Sequence, residues 1–220
     1  MALNRSGPTK DRIRRAAVKL FADKGFHGTG IRDLAQEARL SSASLYHYVG
    51  NKEDLLAGIM RDALGALLTA AHEVVDGVAD PVERLGRLVA LHVITHAVQR
   101  EETTVVDNEV RSLSAETRQP VVKLRDTYER LWTEAIRDGL RAGVFHTDRP
   151  SVTRLALLEM CNGVARWYSP GGALDLEQLA GHYARLALRA AGCTDPGAVP
   201  DLARCRAVVN TVWATAETGR

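Results

Sequence analysis

The stretch Thr29–Leu56, TGIRDLAQEARLSSASLYHYVGNKEDLL, contains two short helical patterns separated by a turn. The apolar residues of its first part recur at the three- and four-residue spacing of one helix face: Ile31, Leu34, Ala35 and Ala38. Ser41 then stands where a following helix needs a cap, because a serine side chain accepts a hydrogen bond from a free N–H of the first turn. The spacing therefore predicts two short helices joined by a tight turn.

The second of these helices has an inner and an outer side that differ in character. On a wheel of about 100° per residue, Ser41, Leu45 and Val49 face inwards and Tyr48 lies near the buried edge. Small residues and hydrogen-bonding rings face outwards: Ala43 and His47, flanked by Ser44 and Tyr46. Small side chains let a helix approach base edges of DNA, and hydroxyl groups can bind bases or phosphates. We interpret this side as a candidate DNA-reading surface; the alternative is that its rings cover the next helix.

Charge is distributed unevenly along the 220 residues. Residues 1–52 hold 10 Lys and Arg against 4 Asp and Glu, whereas the remainder hold 19 against 23, so a net charge of +6 is followed by −4. A basic N-terminal segment on an otherwise slightly acidic chain favours a phosphate-binding module joined to another domain. A solvated basic helix face would produce the same imbalance, so charge alone does not establish DNA binding.

The sequence indicates neither export nor membrane insertion. The first ten residues, MALNRSGPTK, lack the apolar centre of a signal peptide, and no later run approaches about 18 uninterrupted apolar residues. Cys161, Cys193 and Cys205 have no zinc-ligand spacing, and their odd number argues against a disulfide framework. We expect a cytoplasmic protein with reduced cysteines, no metal or cofactor, and no membrane partner.

Helical spacing of apolar residues continues along the rest of the chain and predicts an all-α fold. Caps and breaks delimit the segments, with Thr9, Asn51 and Asp80 as caps, and Gly25 and Gly143 as stops. A first helix is predicted between Thr9 and Gly25, where Ile13, Ala16, Ala17, Leu20 and Phe21 share one face. The predicted helices after the two short ones are Lys52–Val75, one starting at Asp80-Pro81, Thr103–Leu113, Val121–Arg141, Ser151–Tyr168 and Leu174–Ala191. The predicted domains are 1–52, 53–192 and 193–220, the last being either an extra helix or a mobile end.

Taken in order, the residues of Thr29–Leu56 resemble the DNA-binding domain of the tetracycline-repressor (TetR) family. That family follows roughly T-x-[IV]-R-[DE]-[IL]-A-x-x-A-G-[VL]-S-x-x-[ST]-L-Y-x-[HY]-[FV]-x-x-K-x-x-L. Two positions depart from it: Arg39 replaces the turn glycine and must accept a left-handed backbone unless the turn is built differently, and Gly30 stands where Ser or Thr commonly caps the second helix. Beyond these helices the resemblance extends only as a helical layout.

Carried over position by position, the resemblance implies contacts with an operator in double-stranded DNA. Positions that touch phosphate or an edge base are matched by Thr29 and Arg32. Base-reading positions are matched by Ser42, Ala43 and Ser44, and anchors to the DNA backbone by Tyr46, His47 and Lys52.

The final two predicted helices are candidates for a dimer interface. One helix-turn-helix contacts one half-site, so specific affinity normally requires a dimer on a palindromic operator. Segments Ser151–Tyr168 and Leu174–Ala191 are rich in Leu, Ala and small residues, which allow close packing of helices. The family resemblance also implies dimerisation through the last two long helices; the alternative is that they form intramolecular core.

Polar residues on apolar faces of the intervening helices indicate a small-molecule site, because such a site combines apolar walls with a few convergent polar groups. The candidates are His92, His96, Asn108, Tyr128, Trp132, Asn162 and Arg166. For each one taken singly, the alternative is a hydrogen-bonded or packed core residue. A metal site is not indicated, because His92 and His96 have no evident third ligand.

A second resemblance concerns the segment Arg166-Trp-Tyr-Ser-Pro-Gly-Gly172. It is similar to a helix end in TetR-family regulators of fatty-acid and steroid-ring catabolism, which respond to acyl-CoA thioesters. The resemblance implies an acyl-CoA or comparable amphipathic effector, with Arg166 or nearby arginines facing its phosphates.

The sequence as a whole predicts a homodimeric transcriptional regulator of the repressor type, released from its operator by a small-molecule effector. Two alternatives stay open, a DNA-binding protein without an effector and an all-helical enzyme. For the enzyme, no Ser/His/Asp, paired-carboxylate or metal-ligand arrangement stands out.

Overall fold

The computed structural model describes residues 6–196 and 200–218, which are helical and contain no β-strand. The helices of these residues are α1 Ser6–Gly28, α2 Ile31–Glu37, α3 Ser42–Val49, α4 Lys52–Val75, α5 Pro81–Val98, α6 Arg100–Asn108, α7 Ala115–Arg141, α8 Pro150–Asn162, α9 Val164–Trp167, α10 Leu176–Ala190 and α11 Leu202–Thr218. A 3-10 turn, Val110–Ser112, lies between α6 and α7. The all-α prediction is confirmed.

These helices form two compact units. The first contains α1 to Gly65, residues Glu101–Leu124 and the end of α11 from Ala214; the second contains Ala66–Arg100 and Arg125–Trp213. The division differs from the predicted boundaries at residues 52 and 192. Those boundaries followed breaks in the sequence pattern, whereas the units are defined by packing, which divides the long helices α4 and α7 internally.

The first unit is built on the apolar faces of four consecutive helices, α1 to α4. Its buried residues include Ile13, Phe21, Leu34, Leu45, Leu56 and Met60. Val105, Val106, Leu113 and Val121, which follow much later in the chain, join the same core. Arg14 of α1 pairs with Glu102 of α6 and lies 3.5 Å from Asp62 of α4. Helices α1 to α4 therefore share one core with α6 and the start of α7.

The second unit is organised around α5, which is buried on nearly all sides from Leu85 to Ala97. Helices α8, α9 and α10 pack against it. α11 joins the same core through Cys205, Val209 and Trp213, and Arg204 Nη2 donates a hydrogen bond to the carbonyl of Glu73 at 3.0 Å. The extra-helix alternative for the C-terminal segment thus holds for residues 202–218.

Predicted caps are confirmed at three helix starts. The backbone N–H of Ser44 donates to Ser41 Oγ at 3.1 Å, and that of Asp54 donates to Asn51 Oδ1 at 2.8 Å. Asp80 accepts from two N–H groups of the first turn of α5 at 3.1 and 3.3 Å. Each cap supplies an acceptor for N–H groups that have no partner within the helix.

Several predicted helix ends are wrong. α1 begins at Ser6, so Thr9 lies inside it and does not cap it. α7 begins at Ala115 and contains Pro120; a proline removes only one N–H bond here, so the helix continues through it although the sequence favoured a start after it. Gly163 divides the predicted Ser151–Tyr168 helix into α8 and α9.

Among the described residues, α4 is the only helix long and apolar enough to cross a membrane by length and composition. However, 56% of its most apolar window is buried within the protein. A core helix of a folded protein passes the same test of composition, and the burial of α4 agrees with that interpretation.

Candidate functional site

The outer face of α3 has the composition predicted for a DNA-reading surface. Leu45 is fully buried, and Tyr48 and Val49 are half-buried. Exposed side chains cover the other side: Ala43, Ser44, His47 and Tyr46, the last with 52% of its surface accessible. Ser42 is half-buried at the first position of the helix. The first turn therefore carries only small side chains, so its backbone can come close to a partner surface.

The turn that positions α3 is formed without a glycine. Arg39 adopts the left-handed conformation with φ of 55°. Its N–H donates to the carbonyl of Gln36 at 3.0 Å, and the N–H of Leu40 donates to that of Ala35 at 2.8 Å. These bonds satisfy the last carbonyl groups of α2, as a left-handed residue after a helix normally does. Arg39 thus accepts the conformation that its departure from the TetR pattern required.

Arg32, the second residue of α2, has an exposed side chain. Before it, the N–H of Gly30 donates to Asp33 Oδ2 at 2.9 Å. Glycine has no side chain with which to cap α2. The side chain of Asp33, the third residue of the helix, instead accepts from the backbone before the helix and so stabilises its start. Arg32 therefore stands on a fixed helix end with its guanidinium accessible.

Thr29 is placed differently from its predicted role. Its side chain belongs to a residue only 1% exposed, and its hydroxyl lies 2.8 Å from the carbonyl oxygen of Gly25 and 3.2 Å from that of Leu20. A buried hydroxyl that donates to backbone carbonyls of α1 cannot also reach a phosphate. Gly25 itself has φ of 73° and interrupts α1 there, so Thr29 stabilises the kink.

Lys52 also has an internal role in addition to any contact with DNA. Its Nζ donates to the carbonyl groups of Phe26 and Thr29, each at 2.8 Å, and lies 4.2 Å from the centre of the Phe26 ring. Two of the three ammonium hydrogens are thus used within the protein. The first residue of α4 holds the connection between α1 and α2.

In the second unit, the structure brings five of the predicted ligand-site residues together. His92 Nδ1 lies 2.9 Å from the hydroxyl of Tyr128, and its Nε2 lies 2.8 Å from Oδ1 of Asn162. The ring of His96 stacks on that of His92 with centres 4.0 Å apart, and the ring of Trp132 meets His92 edge-on at 5.6 Å. We call these residues the His92 cluster.

The His92 ring is neutral in this arrangement. Burial, together with the neighbouring His96, holds the pKa of His92 well below its usual value of 6.5. With Asn162 Oδ1 as acceptor, Nε2 carries the proton and donates it, so Nδ1 accepts from the Tyr128 hydroxyl. Helices α5, α7 and α8 are thereby joined by a chain of hydrogen bonds through one imidazole.

The other two predicted ligand residues lie apart from the His92 cluster. Asn108 is exposed at the end of α6 and belongs to the first unit. Arg166, in α9 of the second unit, is exposed. Among the described residues, no group of three or more His, Cys, Asp or Glu could hold a metal ion.

Sequence reasoning missed Thr95, which is 1% exposed on α5. Neither its hydroxyl nor Nε1 of Trp132 has a hydrogen-bond partner in the described part of the chain. A threonine hydroxyl on an apolar helix face often bonds to the backbone of its own helix, and the sequence does not distinguish that case from a hydroxyl without a partner.

Comparison with known proteins relates both units to one group of regulators. Residues 13–59 match the family described as bacterial regulatory proteins, tetR family, and residues 78–191, more than half of the chain, match the tetracyclin repressor-like C-terminal domain. The chain belongs to the TetR family. It is a DNA-binding transcriptional regulator, and α11 lies beyond the residues that either TetR match covers.

Individual TetR-family proteins are similar to this chain in sequence or structure over most of its length. The HTH-type transcriptional repressor KstR2 of Mycobacterium tuberculosis is 29% identical over 185 residues, covering 82% of this chain and 90% of that protein. A TetR-family regulatory protein from Rhodococcus RHA1 superposes with a TM-score of 0.79 at 31% identity, covering 85% and 98% of the two chains. AibR, solved in complex with isovaleryl coenzyme A and operator DNA, superposes with a TM-score of 0.73 at 28% identity, covering 81% of this chain and 97% of that chain. The relatives are regulators, which favours that role over the enzyme alternative.

Replacing Lys52 by methionine should destabilise the free protein. The change removes two hydrogen bonds from an ammonium group to carbonyl oxygens, and we expect a loss of about 1–3 kcal/mol in the free energy of unfolding. Denaturant unfolding without DNA measures it, with exposed Lys24→Met as the control. An unchanged midpoint for Lys52→Met would show that Lys52 acts only on DNA.

The stability of the protein should fall in mild acid because of His92. Below about pH 6.5 the unfolded chain takes up a proton at His92 that the folded protein, with its lowered pKa, does not. Stability from this group is therefore complete above that pH and is lost as the pH falls towards the folded pKa, by up to about 1.4 kcal/mol per pH unit. Thermal unfolding between pH 7.5 and 5 measures how stability changes with pH. This dependence should be shallower for His92→Gln than for the wild type, while exposed His72→Gln should keep the wild-type dependence. Equal slopes for all three proteins would contradict this assignment.

Proposed function

We propose that this protein is a cytoplasmic homodimeric repressor that occupies a palindromic operator through α3 of each copy and is released by an amphipathic acyl thioester. The observation that carries the proposal is the exposed outer face of α3, which joins small side chains in the first turn to Tyr46 and His47 further along. Such a face suits the major groove, where a helix places its first residues against base edges.

The contacts with DNA divide into two kinds. Ser42, Ala43 and Ser44 lie in the first turn of α3 and read base edges. Anchors to the phosphate backbone are exposed and can donate hydrogen bonds: Arg32, Tyr46 and His47. Thr29 and Lys52 support these residues from within, Lys52 retaining one ammonium hydrogen for phosphate.

A second copy of the chain would cover the outer faces of α8 and α10, which contact each other. Large apolar side chains are accessible on both helices: Val152 is 60% exposed, Leu155 49% and Leu186 38%. Soluble proteins rarely leave such a group uncovered unless it binds a partner. A twofold dimer brings the same face of both copies together and supplies two α3 helices for a palindrome.

The proposed effector site is the His92 cluster and the helices around it. Buried polar groups among apolar side chains are typical of small-molecule sites. The solved complex of AibR with isovaleryl coenzyme A and operator DNA shows that one related regulator binds an acyl thioester. Arg166 is exposed in α9, where an arginine can pair with phosphate groups of such a ligand.

Release from DNA would act through α4, which begins directly after α3 and continues from the first unit into the second. A thioester bound in the second unit would favour a different tilt of α4 and so change the separation of the two α3 helices. The effector can shift this equilibrium only by the difference between its affinities for the two states.

Selection of binding sites from random duplexes should test the assignment of α3. We expect an inverted repeat with one half-site for each copy. Tyr46→Phe should lower affinity for all selected sequences by a similar factor, because it removes a phosphate contact, whereas Ser42→Ala and Ala43→Ser should change which bases are preferred. Thr133→Ser on α7 serves as the control, because Thr133 is half-buried and lies in the second unit. Equal and sequence-independent losses in all three α3 variants would contradict base reading, and selection of single half-sites would contradict the dimer.

Acyl thioesters should release the protein from the selected duplex. With acyl-CoA compounds of increasing chain length, fluorescence anisotropy should show a best ligand that weakens DNA binding by about tenfold or more, corresponding to a coupling near 1.4 kcal/mol. Free coenzyme A and the matching free acids are the controls. Calorimetric binding without any change in DNA affinity would favour the DNA-binding protein without effector control, and absence of binding would exclude this effector class.

A further inference from the structure

Among the residues that the structure describes, two polar side chains in the core of the second unit have no hydrogen-bond partner, the Thr95 hydroxyl and the Trp132 indole N–H. Both residues are almost completely buried, at 1% and 0% exposure. Buried polar groups in folded proteins nearly always have a partner, because desolvation without a compensating bond is unfavourable. Two such groups in one core therefore call for a functional explanation.

Both unpartnered groups belong to the surroundings of the His92 cluster. The Trp132 ring meets the His92 ring edge-on at 5.6 Å. Thr95 follows His92 by three residues on α5, so the two side chains are neighbours on the helix surface. The polar atoms of His92 are occupied by Tyr128 and Asn162. The cluster and the adjacent Thr95 thus combine a fixed hydrogen-bonded part with two groups that still require partners.

We propose that the Trp132 N–H and the Thr95 hydroxyl bind the carbonyl oxygen of the effector's thioester. This inference rests on the proposed function, since it assigns the recognition of the acyl group within that site. Indole Nε1–H can only donate, so its partner must be an acceptor, and a carbonyl oxygen has two lone pairs with which to accept from both residues.

The surroundings favour an uncharged acceptor over a carboxylate. The side chains of the cluster are imidazole, phenol, carboxamide and indole groups, and Thr95 beside them adds a hydroxyl. Burial holds the pKa of His92 low, so that its ring is neutral. A carboxylate placed among them would lose its hydration without gaining an opposite charge. The acyl chain of a thioester, in contrast, would lie among the apolar residues of the same core, which include Leu88, Leu91 and Ile136.

Thr95→Val tests the proposal through two effects of opposite direction. Valine has the shape of threonine without the hydroxyl, so the ligand-free protein should melt about 2–4 °C higher once an unpartnered buried polar group is removed. The same variant should bind the best acyl-CoA about tenfold more weakly, because one hydrogen bond to the ligand is lost. Thr29→Val is the matched control, since its buried hydroxyl donates to Gly25 and Leu20 and its loss should lower the melting temperature.

The ligand supplies an independent test that does not depend on how a variant folds. An alkyl-CoA thioether with the same chain lacks the carbonyl oxygen, and wild-type protein should prefer the thioester by about tenfold or more. That preference should shrink in Thr95→Val and in Trp132→Phe, even though Trp132→Phe also loses core volume and stability.

The outcomes separate this inference from the proposed function. A lower melting temperature for Thr95→Val would show that its hydroxyl already has a partner, such as ordered water, and would overturn the inference. Thioester and thioether binding equally well to the wild type would overturn it while leaving the proposed effector class in place. If neither compound binds, both the effector class and the carbonyl site are wrong.

Discussion

The position of α3, which carries the proposed DNA-binding surface, depends on the two hydrogen bonds from the Lys52 ammonium to the carbonyl groups of Phe26 and Thr29. α3 has only 8 residues, too few for a helix to be stable in water by itself. Its position is therefore set by the burial of Leu45 and by the segments at its two ends. Lys52, at the start of α4, binds the end of α1 and the residue after it, so the helices of the first unit hold one another in place.

The fold and the outer face of α3 could be predicted from the sequence because local rules determine both. Helical spacing predicts the burial of Leu45 and the exposure of Ala43 and His47. Residues that can cap a helix predict the helix starts at Ser41 and Asn51. These features depend on residues within one or two turns of each other, and no distant contact overrides them.

Sequence patterns did not reveal those contacts in which a distant part of the chain supplies the partner. Thr29 and Lys52 are polar residues at helix ends, as DNA contacts would be, but the carbonyl groups they bind belong to α1 and to the residue that follows it. Asn108 has the same chemistry as Asn162, yet only Asn162 lies beside His92. The start of α7 was missed because a proline usually marks a boundary, whereas Pro120 lies inside the helix. The sequence does not single out Thr95, because whether its hydroxyl has a hydrogen-bond partner depends on how the helices pack.

Helix α11 lies outside the residues that match the family domain but contributes to the core of the second unit. The residues that match the family domain end at 191, yet Cys205, Val209 and Trp213 belong to the core of the second unit. Cys205 Sγ lies 3.8 Å from the carbonyl oxygen of Arg87 on α5, and Arg204 binds the last turn of α4. A relative whose chain stops near the end of α10 must cover the same surface with other residues or make it polar. Part of the core of the second unit thus lies outside the residues of the family domain, and sequence variation in α5 among relatives should follow the presence or absence of a C-terminal helix.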